Sequence, residues 1–199
     1  MDMTKRPYHH GDLRAALLER AENVLRERGS TALSLRELAR DIGVSPGAPS
    51  RHFANKQALL DALALDGFER LVADIAASDK EAGPAFAERL NAMARAFVGF
   101  CLSNAALVDL MFSAKHSPEA SPALGAAAQR WIAQGLALVS EGQRRGEVRE
   151  GSLEQVALTV FAPLQGYVGL AVSGVPLPET ADRGLDDVIE SIVRGCRPD

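Results

Sequence analysis

The sequence has few of the residues on which redox sites, metal sites and secreted scaffolds depend. Aromatic residues make up 5% of the 199 residues, and the only two cysteines, Cys101 and Cys196, stand far apart and form no CxxC pair. This cysteine usage excludes a disulfide framework and a cysteine zinc site. Walker loops, HExxH and GxGxxG motifs are absent, and the His9-His10 pair lacks acidic partners at metal-ligand spacing. We therefore expect no enzyme, no metal and no cofactor.

Two further absences concern membranes. The N-terminal stretch MDMTKRPYHHGDLR lacks the apolar core of about 7–15 residues that a secretory signal needs, so we expect a cytoplasmic protein. Residues 155–178 carry no charge, and this length could span a bilayer. The run has no basic flank and is interrupted by Thr159, Pro163, Gln165 and Ser173. We expect a buried helix packed in its own domain and against a partner subunit, and no membrane.

Charge is divided unevenly along the chain. Residues 1–56 contain 10 Lys and Arg against 7 Asp and Glu, a net charge of +3, while residues 57–199 contain 12 against 19, a net charge of −7. A small basic module on an acidic body is typical of nucleic-acid binding.

The composition predicts an all-α protein. Ala, Leu, Glu and Arg recur, and no stretch of alternating β-branched residues is present. An apolar stripe that begins at Leu13 predicts a first helix with a stop at Gly29. Ser34 and Glu37 stand at capping-box spacing and predict a short second helix that ends at Gly43.

The stretch VSPGAPSRHF, which follows Gly43, predicts the start of a third helix. Ser45 can act as N-cap, and Pro46 then takes the first helical position, where its missing N–H costs nothing. Pro49 would remove the first intrahelical hydrogen bond, so we expect this turn to be distorted or partly 3₁₀. Helix, glycine turn and short helix form the helix-turn-helix pattern of DNA-binding proteins.

The stretch from Tyr8 to Leu63, YHHGDLRAALLERAENVLRERGSTALSLRELARDIGVSPGAPSRHFANKQALLDAL, resembles the N-terminal domain of TetR-family transcriptional regulators. The resemblance implies a three-helix helix-turn-helix domain at residues 1–56 and a larger helical ligand-binding and dimerisation domain at 57–199, with about nine helices in all. It also implies a homodimer, in which the last two helices of each subunit form a four-helix bundle.

Candidate DNA contacts follow from the resemblance and from the positions of donors beside it. Arg36 could pair bidentately with a guanine. Ser50 stands where the family commonly has a phosphate-contacting tyrosine, which removes one anchor. The candidates are Ser34, Arg36, Ser45, Pro46, Gly47, Ala48, Ser50, Arg51, His52 and Lys56.

The larger domain should hold an effector cavity lined by apolar residues with a few polar groups. Candidates to line it are Phe97, Phe100, Met111, Phe112, Trp131, Phe161, Gln165 and Tyr167. Our main hypothesis is a repressor that a small-molecule effector releases from a palindromic double-stranded operator. One alternative is a dimeric DNA-binding regulator without an effector, which a cavity too small for a ligand would favour. Another is a membrane-tethered or catalytic protein.

Overall fold

The computed structural model describes residues 13–173 and 181–198, which form eight α-helices, two short 3₁₀ turns and no strand. The prediction of an all-α fold is confirmed. The helices are α1 (Leu13–Arg28), α2 (Leu35–Asp41), α3 (Lys56–Glu81), α4 (Phe86–Ser103), α5 (Ala105–Ala114), α6 (Pro122–Arg144), α7 (Leu153–Val172) and α8 (Ala181–Cys196).

Glycines end the first two helices, as predicted. Gly29 has φ +76° and Gly43 has φ +75°, a region in which a side chain with a Cβ is strained. After α2 the N–H of Gly43 donates to the Arg40 carbonyl at 3.2 Å, and the N–H of Val44 donates to the Ala39 carbonyl at 2.9 Å. This pair of bonds is the Schellman arrangement, which satisfies two carbonyls left free at the end of the helix.

The N-caps of α2 and α3 differ. Asn55 caps α3, and its side-chain oxygen accepts a hydrogen bond from the Ala58 N–H at 2.9 Å. Ser34 occupies the N-cap of α2, but its side chain makes no capping hydrogen bond, so the prediction of a capping box is wrong. The Glu37 carboxylate instead lies 3.8 Å from Arg40, one turn further along the same helix.

The prediction of an α-helix beginning at Ser45 and Pro46 is also wrong, because the segment is a turn followed by the 3₁₀ turn Pro49–Arg51. Pro49 has no N–H to donate to the Ser45 carbonyl, and the Ala48 N–H takes that carbonyl at 2.9 Å. Three-residue spacing then continues, with the Arg51 N–H on the Ala48 carbonyl and the His52 N–H on the Pro49 carbonyl. The expected 3₁₀ distortion therefore takes over the whole segment and leaves eight α-helices in the described residues.

One apolar core runs through both parts of the described chain. Its centre is the 26-residue helix α3, which packs against α1, α4, α5 and α6. Phe53 is 2% exposed and belongs to the core near α1, with the Arg14 guanidinium 5.6 Å from its ring centroid. A single continuous helix thus connects the N-terminal module to the rest of the fold.

Helix α7 holds most of the charge-free run. By length and composition it is the one described helix that could cross a bilayer unaided, while α4 and α5 pass the same test only as a pair bent by 101°. One face of α7 packs against α4, α6 and α8. The buried core helix of a soluble protein can be equally long and apolar, so the length and composition of α7 do not indicate a membrane span.

Candidate DNA-binding surface and ligand cavity

The candidate DNA-binding surface consists of the ten residues predicted from the sequence, and none of them is buried. Ser34, Ala48 and Lys56 are half-buried. The other seven are exposed: Arg36, Ser45, Pro46, Gly47, Ser50, Arg51 and His52. Arg36 lies in α2, and the rest follow in the turn and the 3₁₀ segment that packs against α2. The fold therefore brings small side chains and arginines from these two neighbouring segments close together.

The arginines of the N-terminal module differ in whether the fold already uses their charge. Arg20 pairs with Asp41 at 2.9 Å, and Arg40 pairs with Glu37. Arg36 and Arg51 are exposed, and their side chains have no hydrogen bond or ion pair with any other described residue. An unpaired guanidinium gives up no intramolecular bond when it contacts phosphate or a base edge. These two side chains are the best available cations on the surface.

Lys56, one of the predicted donors, also has a contact within the fold. Its ammonium group donates to the Thr31 carbonyl at 3.0 Å, a bond that ties the start of α3 to the turn after α1. Two of its three N–H donors stay available, so a phosphate contact requires no loss of this bond.

The segment Gly43 to Gly47 reads GVSPG, which also matches the G-x-S-x-G spacing of hydrolase nucleophile elbows. A nucleophile elbow needs a strand before the serine and a helix after it. Here α2 precedes Ser45, and a turn and a 3₁₀ segment follow. The surroundings of Ser45 are those of a helix-turn-helix and not of a hydrolase.

A cavity of about 40 Å³ lies between α3, α4, α6 and α7. Eleven of its thirteen lining residues are apolar or glycine, and none is charged. The lining residues are Ile75, Leu90, Met93, Ala94, Phe97, Trp131, Gln134, Gly135, Leu138, Val160, Phe161, Leu164 and Gln165. Gln134, Gly135, Phe161 and Gln165 are the partly exposed ones, so they mark the side from which the cavity opens.

Trp131 is the centre of an aromatic cluster at this cavity. Its indole stacks on Phe97 with ring centroids 5.9 Å apart and meets Phe161 edge-on at the same separation. Phe112 meets the indole edge-on at 5.4 Å. Lys115 places its ammonium nitrogen 4.4 Å from the Phe112 ring centroid, and burial lowers the pKa of this lysine.

Four of the eight predicted lining residues lie at the cavity: Phe97, Trp131, Phe161 and Gln165. The other four are placed elsewhere. Met111 packs against Gly67 of α3, and Phe112 lies beside Trp131 without reaching the cavity. The ring of Phe100 lies beneath the Arg70 guanidinium, and Tyr167 packs against Gly184 of α8.

Gln134 is the polar lining residue that sequence reasoning missed. Its amide nitrogen donates to the Val72 carbonyl at 2.9 Å, which fixes the orientation of the carboxamide. The amide oxygen is buried and has no hydrogen-bond partner among the described residues. The available signal in the sequence was a lone glutamine between Trp131 and a run of apolar residues in α6.

An ion pair connects the N-terminal module to the helices around the cavity. Both terminal nitrogens of Arg70 in α3 donate to the carboxylate of Glu22 in α1, each at 3.0 Å. Asp66 lies 3.5 Å from the same guanidinium, whose carbon is 5.9 Å from the ring centroid of Phe100. The Arg70 side chain thus contacts α1 through Glu22 and α4 through Phe100.

Comparison with known proteins agrees with this architecture. The family described as "Bacterial regulatory proteins, tetR family" matches residues 17–63, and the one described as "Tetracyclin repressor-like, C-terminal domain" matches residues 90–194. The chain belongs to the TetR family, and it is a transcriptional regulator with an N-terminal DNA-binding domain. No curated protein matches the sequence.

Solved structures give the same result. A protein of unknown function from Rhodococcus sp. RHA1 is 39% identical, with a TM-score of 0.90, and the match covers 96% of this chain and 99% of that one. The TetR-family regulator PfmR from Thermus thermophilus is 24% identical, with a TM-score of 0.69 and coverage of 90% and 97%. The fatty acid degradation regulator FadR from Bacillus halodurans is 17% identical, with a TM-score of 0.74 and coverage of 94% and 97%. The last two similarities concern the fold alone.

Proposed function

We propose that this regulator is a cytoplasmic, homodimeric repressor that binds a palindromic operator and leaves it when a small-molecule effector enters the larger domain. The observation that carries the DNA-binding part is the pair of exposed, partnerless arginines, Arg36 and Arg51, beside a turn of small side chains. Such a surface lets the backbone approach DNA while the guanidinium groups reach phosphates or a guanine. We place the boundary between the two domains after residue 56, in the first turn of α3.

The exposed face of α7 supports the homodimer. Three of the five large apolar side chains that are exposed in the described chain lie on this helix: Leu158 at 62%, Leu170 at 48% and Val172 at 52%. Small residues between them, Ala162 and Gly169, are exposed as well and would allow close approach of a second helix. A second copy of the chain would cover this face and would hold two DNA-binding surfaces roughly 34 Å apart, one turn of DNA.

Leu158→Glu tests the homodimer directly by sedimentation. The charge would be buried in the proposed contact, so we expect the variant to sediment as a monomer at concentrations where the wild type is a dimer. Leu102→Glu, on α4 and 46% exposed, is the matched control and should leave the wild-type dimer intact. A dimeric Leu158→Glu variant would place the subunit contact elsewhere.

Selection of random duplexes by the purified protein at near-physiological salt tests the DNA-binding part. We expect enrichment of a palindrome with half-sites about one helical turn apart. Arg51→Ala should weaken binding to all sequences alike and lower the slope of log affinity against log salt by about one. The control Arg197→Ala removes an exposed arginine of the larger domain and should change neither quantity. Enrichment of no palindrome would contradict the proposal.

The size of the cavity favours a second candidate, a dimeric regulator without an effector. A volume of about 40 Å³ is far below the roughly 300–1,000 Å³ of ordinary ligand sites. Trp131 is the only tryptophan of the chain and lines the cavity, so its fluorescence separates the two candidates. An unchanged Trp131 signal across a panel of small neutral, anionic and cationic compounds would favour the second candidate.

A further inference from the structure

We propose that the cleft between α1 and the bend from α4 to α5 is a small-molecule site, which takes an amphipathic anion such as a medium-chain carboxylate. The cleft is separate from the cavity beside Trp131, and the two have no lining residue in common. The proposal goes beyond the proposed function, because binding of a ligand in this cleft requires neither DNA nor the cavity.

The cleft has the size that the cavity lacks. Its volume is about 310 Å³, against about 40 Å³ for the cavity, and so lies at the lower end of the roughly 300–1,000 Å³ of ordinary ligand sites. Its lining comes from Glu22, Leu25 and Arg26 of α1 and from residues 102–107, where the chain turns by 101° between α4 and α5. A molecule in the cleft therefore contacts the N-terminal module and the larger domain at the same time.

An exposed leucine in the lining indicates the apolar part of the ligand. Leu102 is 46% exposed and is one of five large apolar side chains that are exposed in the described chain. Three of the five lie on α7, on the face that we assign to a second copy, and that assignment does not account for Leu102 on α4. Leu25 and Leu107, each 3% exposed, line the same cleft. An alkyl chain in the cleft would contact these leucines and remove Leu102 from water.

The two charged residues of the lining favour an anion. The Glu22 carboxylate accepts hydrogen bonds from both terminal nitrogens of Arg70, so its charge is already neutralised within the fold. Arg26 is exposed, and its guanidinium donates to the neutral side chain of Asn23 but forms no ion pair with any described residue. The uncompensated charge of the cleft is therefore positive, and a carboxylate can bind Arg26 without displacing another anion.

The neutral polar side chains at the bend are compatible with this assignment. The Ser103 hydroxyl is exposed and has no hydrogen-bond partner among the described residues, so it can donate to a carboxylate oxygen. The amide nitrogen of Asn104 already donates to the Phe100 carbonyl at 2.9 Å, so we assign Asn104 no contact with the anion.

Calorimetric titration of the DNA-free protein with octanoate and with octylammonium tests the proposal. The two probes have the same number of carbon atoms and opposite charges, and both are kept below the concentrations at which they form micelles. We expect saturable binding of octanoate and about three- to tenfold weaker binding of octylammonium, a modest ratio because solvent screens the exposed Arg26. Equal affinity for the two probes, tighter binding of octylammonium, or no saturable binding of octanoate would overturn the proposal.

Arg26→Gln assigns the preference for an anion to its residue. The variant should bind octanoate about two- to fivefold more weakly than the wild type and should bind octylammonium more tightly, so the ratio between the probes narrows. Arg28→Gln is the control, because Arg28 is exposed at the end of the same helix and lies outside the lining. This variant should keep the wild-type ratio. A wild-type ratio in Arg26→Gln would contradict the assignment.

Leu102→Glu tests whether octanoate lies in the cleft. The substitution removes an apolar contact and adds a like charge, so we expect octanoate to bind at least about tenfold more weakly. Ile132→Glu is the control, because Ile132 is 39% exposed on α6 and lies outside the lining. Sedimentation of both variants as wild type does shows that they are folded. Unchanged octanoate binding in Leu102→Glu would overturn the proposal.

These titrations contain no DNA, so their outcome is independent of the operator selection that tests the proposed function. Failure of the cleft to bind octanoate and failure of the protein to select a palindrome are therefore separate results.

Discussion

The N-terminal module and the cavity of the larger domain treat charge in opposite ways. The module leaves Arg36 and Arg51 exposed and unpaired among the described residues, on a surface of small side chains. The cavity has no charged lining residue, and its only polar lining side chains are those of Gln134 and Gln165. The difference teaches that one chain can expose charge on one surface and exclude it from an interior cavity, with α3 as the helix that connects the two regions.

The interior of the larger domain should also disfavour the negative charge of a buried cysteine thiolate. This prediction carries the largest expected effect. Burial raises the pKa of Cys101 to about 12 from 9.0, so the native thiolate is scarce at pH 8. In a Cys196→Ala background, we expect a thiol reagent to label native Cys101 on the order of 1000-fold more slowly than in denaturant.

The same pKa shift has a consequence for stability. Because the folded pKa lies above the unfolded one, the contribution of this thiol to stability is complete below pH 9 and is lost as the pH rises towards 12. If the thiol reagent labels Cys101 as fast in the native protein as in the denatured protein, this part of the interior is open to solvent and to charge.

Arg36→Ala tests the other side of the comparison. Loss of a bidentate contact with a guanine costs about 1–3 kcal/mol, so we expect operator affinity to fall by about 5- to 150-fold and specificity at one position to relax. Titration of the selected operator and of a duplex with that position changed measures both effects. A uniform loss across all duplexes would make Arg36 a phosphate contact instead.

Gly135→Ala perturbs the wall of the cavity. The added Cβ would lie 2.4 Å from Cζ of Phe161, so the ring must move, and we expect a loss of about 1–2 kcal/mol in the free energy of unfolding. In Gly125→Ala, on the same helix, the added Cβ would have no atom within 4 Å. This variant should gain about 0.5–1 kcal/mol in the free energy of unfolding. Chemical denaturation of both variants measures the contrast, and equal stability would mean that the Phe161 ring repacks freely.

The connection between the two regions should show the smallest effect. Glu22 and Arg70 form a bidentate pair that is partly screened by solvent, so a double-mutant cycle with Glu22→Gln and Arg70→Met should give a coupling energy of about 1 kcal/mol. The exposed pair Glu69 and Arg130, 3.6 Å apart, is the comparison and should give about 0.3 kcal/mol or less. Equal coupling energies for the two pairs would mean that Glu22 and Arg70 form no specific link between the regions.

Local features were predictable because neighbouring residues decide them. Gly29 and Gly43 end helices through backbone conformation, and Asn55 caps α3 through a bond to a residue three positions away. Pro49 shows the limit of such reasoning. The sequence indicated a distorted turn, but the loss of the whole α-helix is visible only once the carbonyls of Ser45 and Ala48 have found other donors.

By itself the sequence determined the all-α class, most helix positions, the basic N-terminal module and the resemblance to TetR regulators. Only the tertiary structure decided which aromatic side chains reach the cavity and which buried polar atom is left without a partner. The physical reason is that both depend on helices that cross far apart in sequence. Val72 and Gln134 meet across 62 positions, and the same contact that satisfies the amide nitrogen leaves its oxygen without a donor.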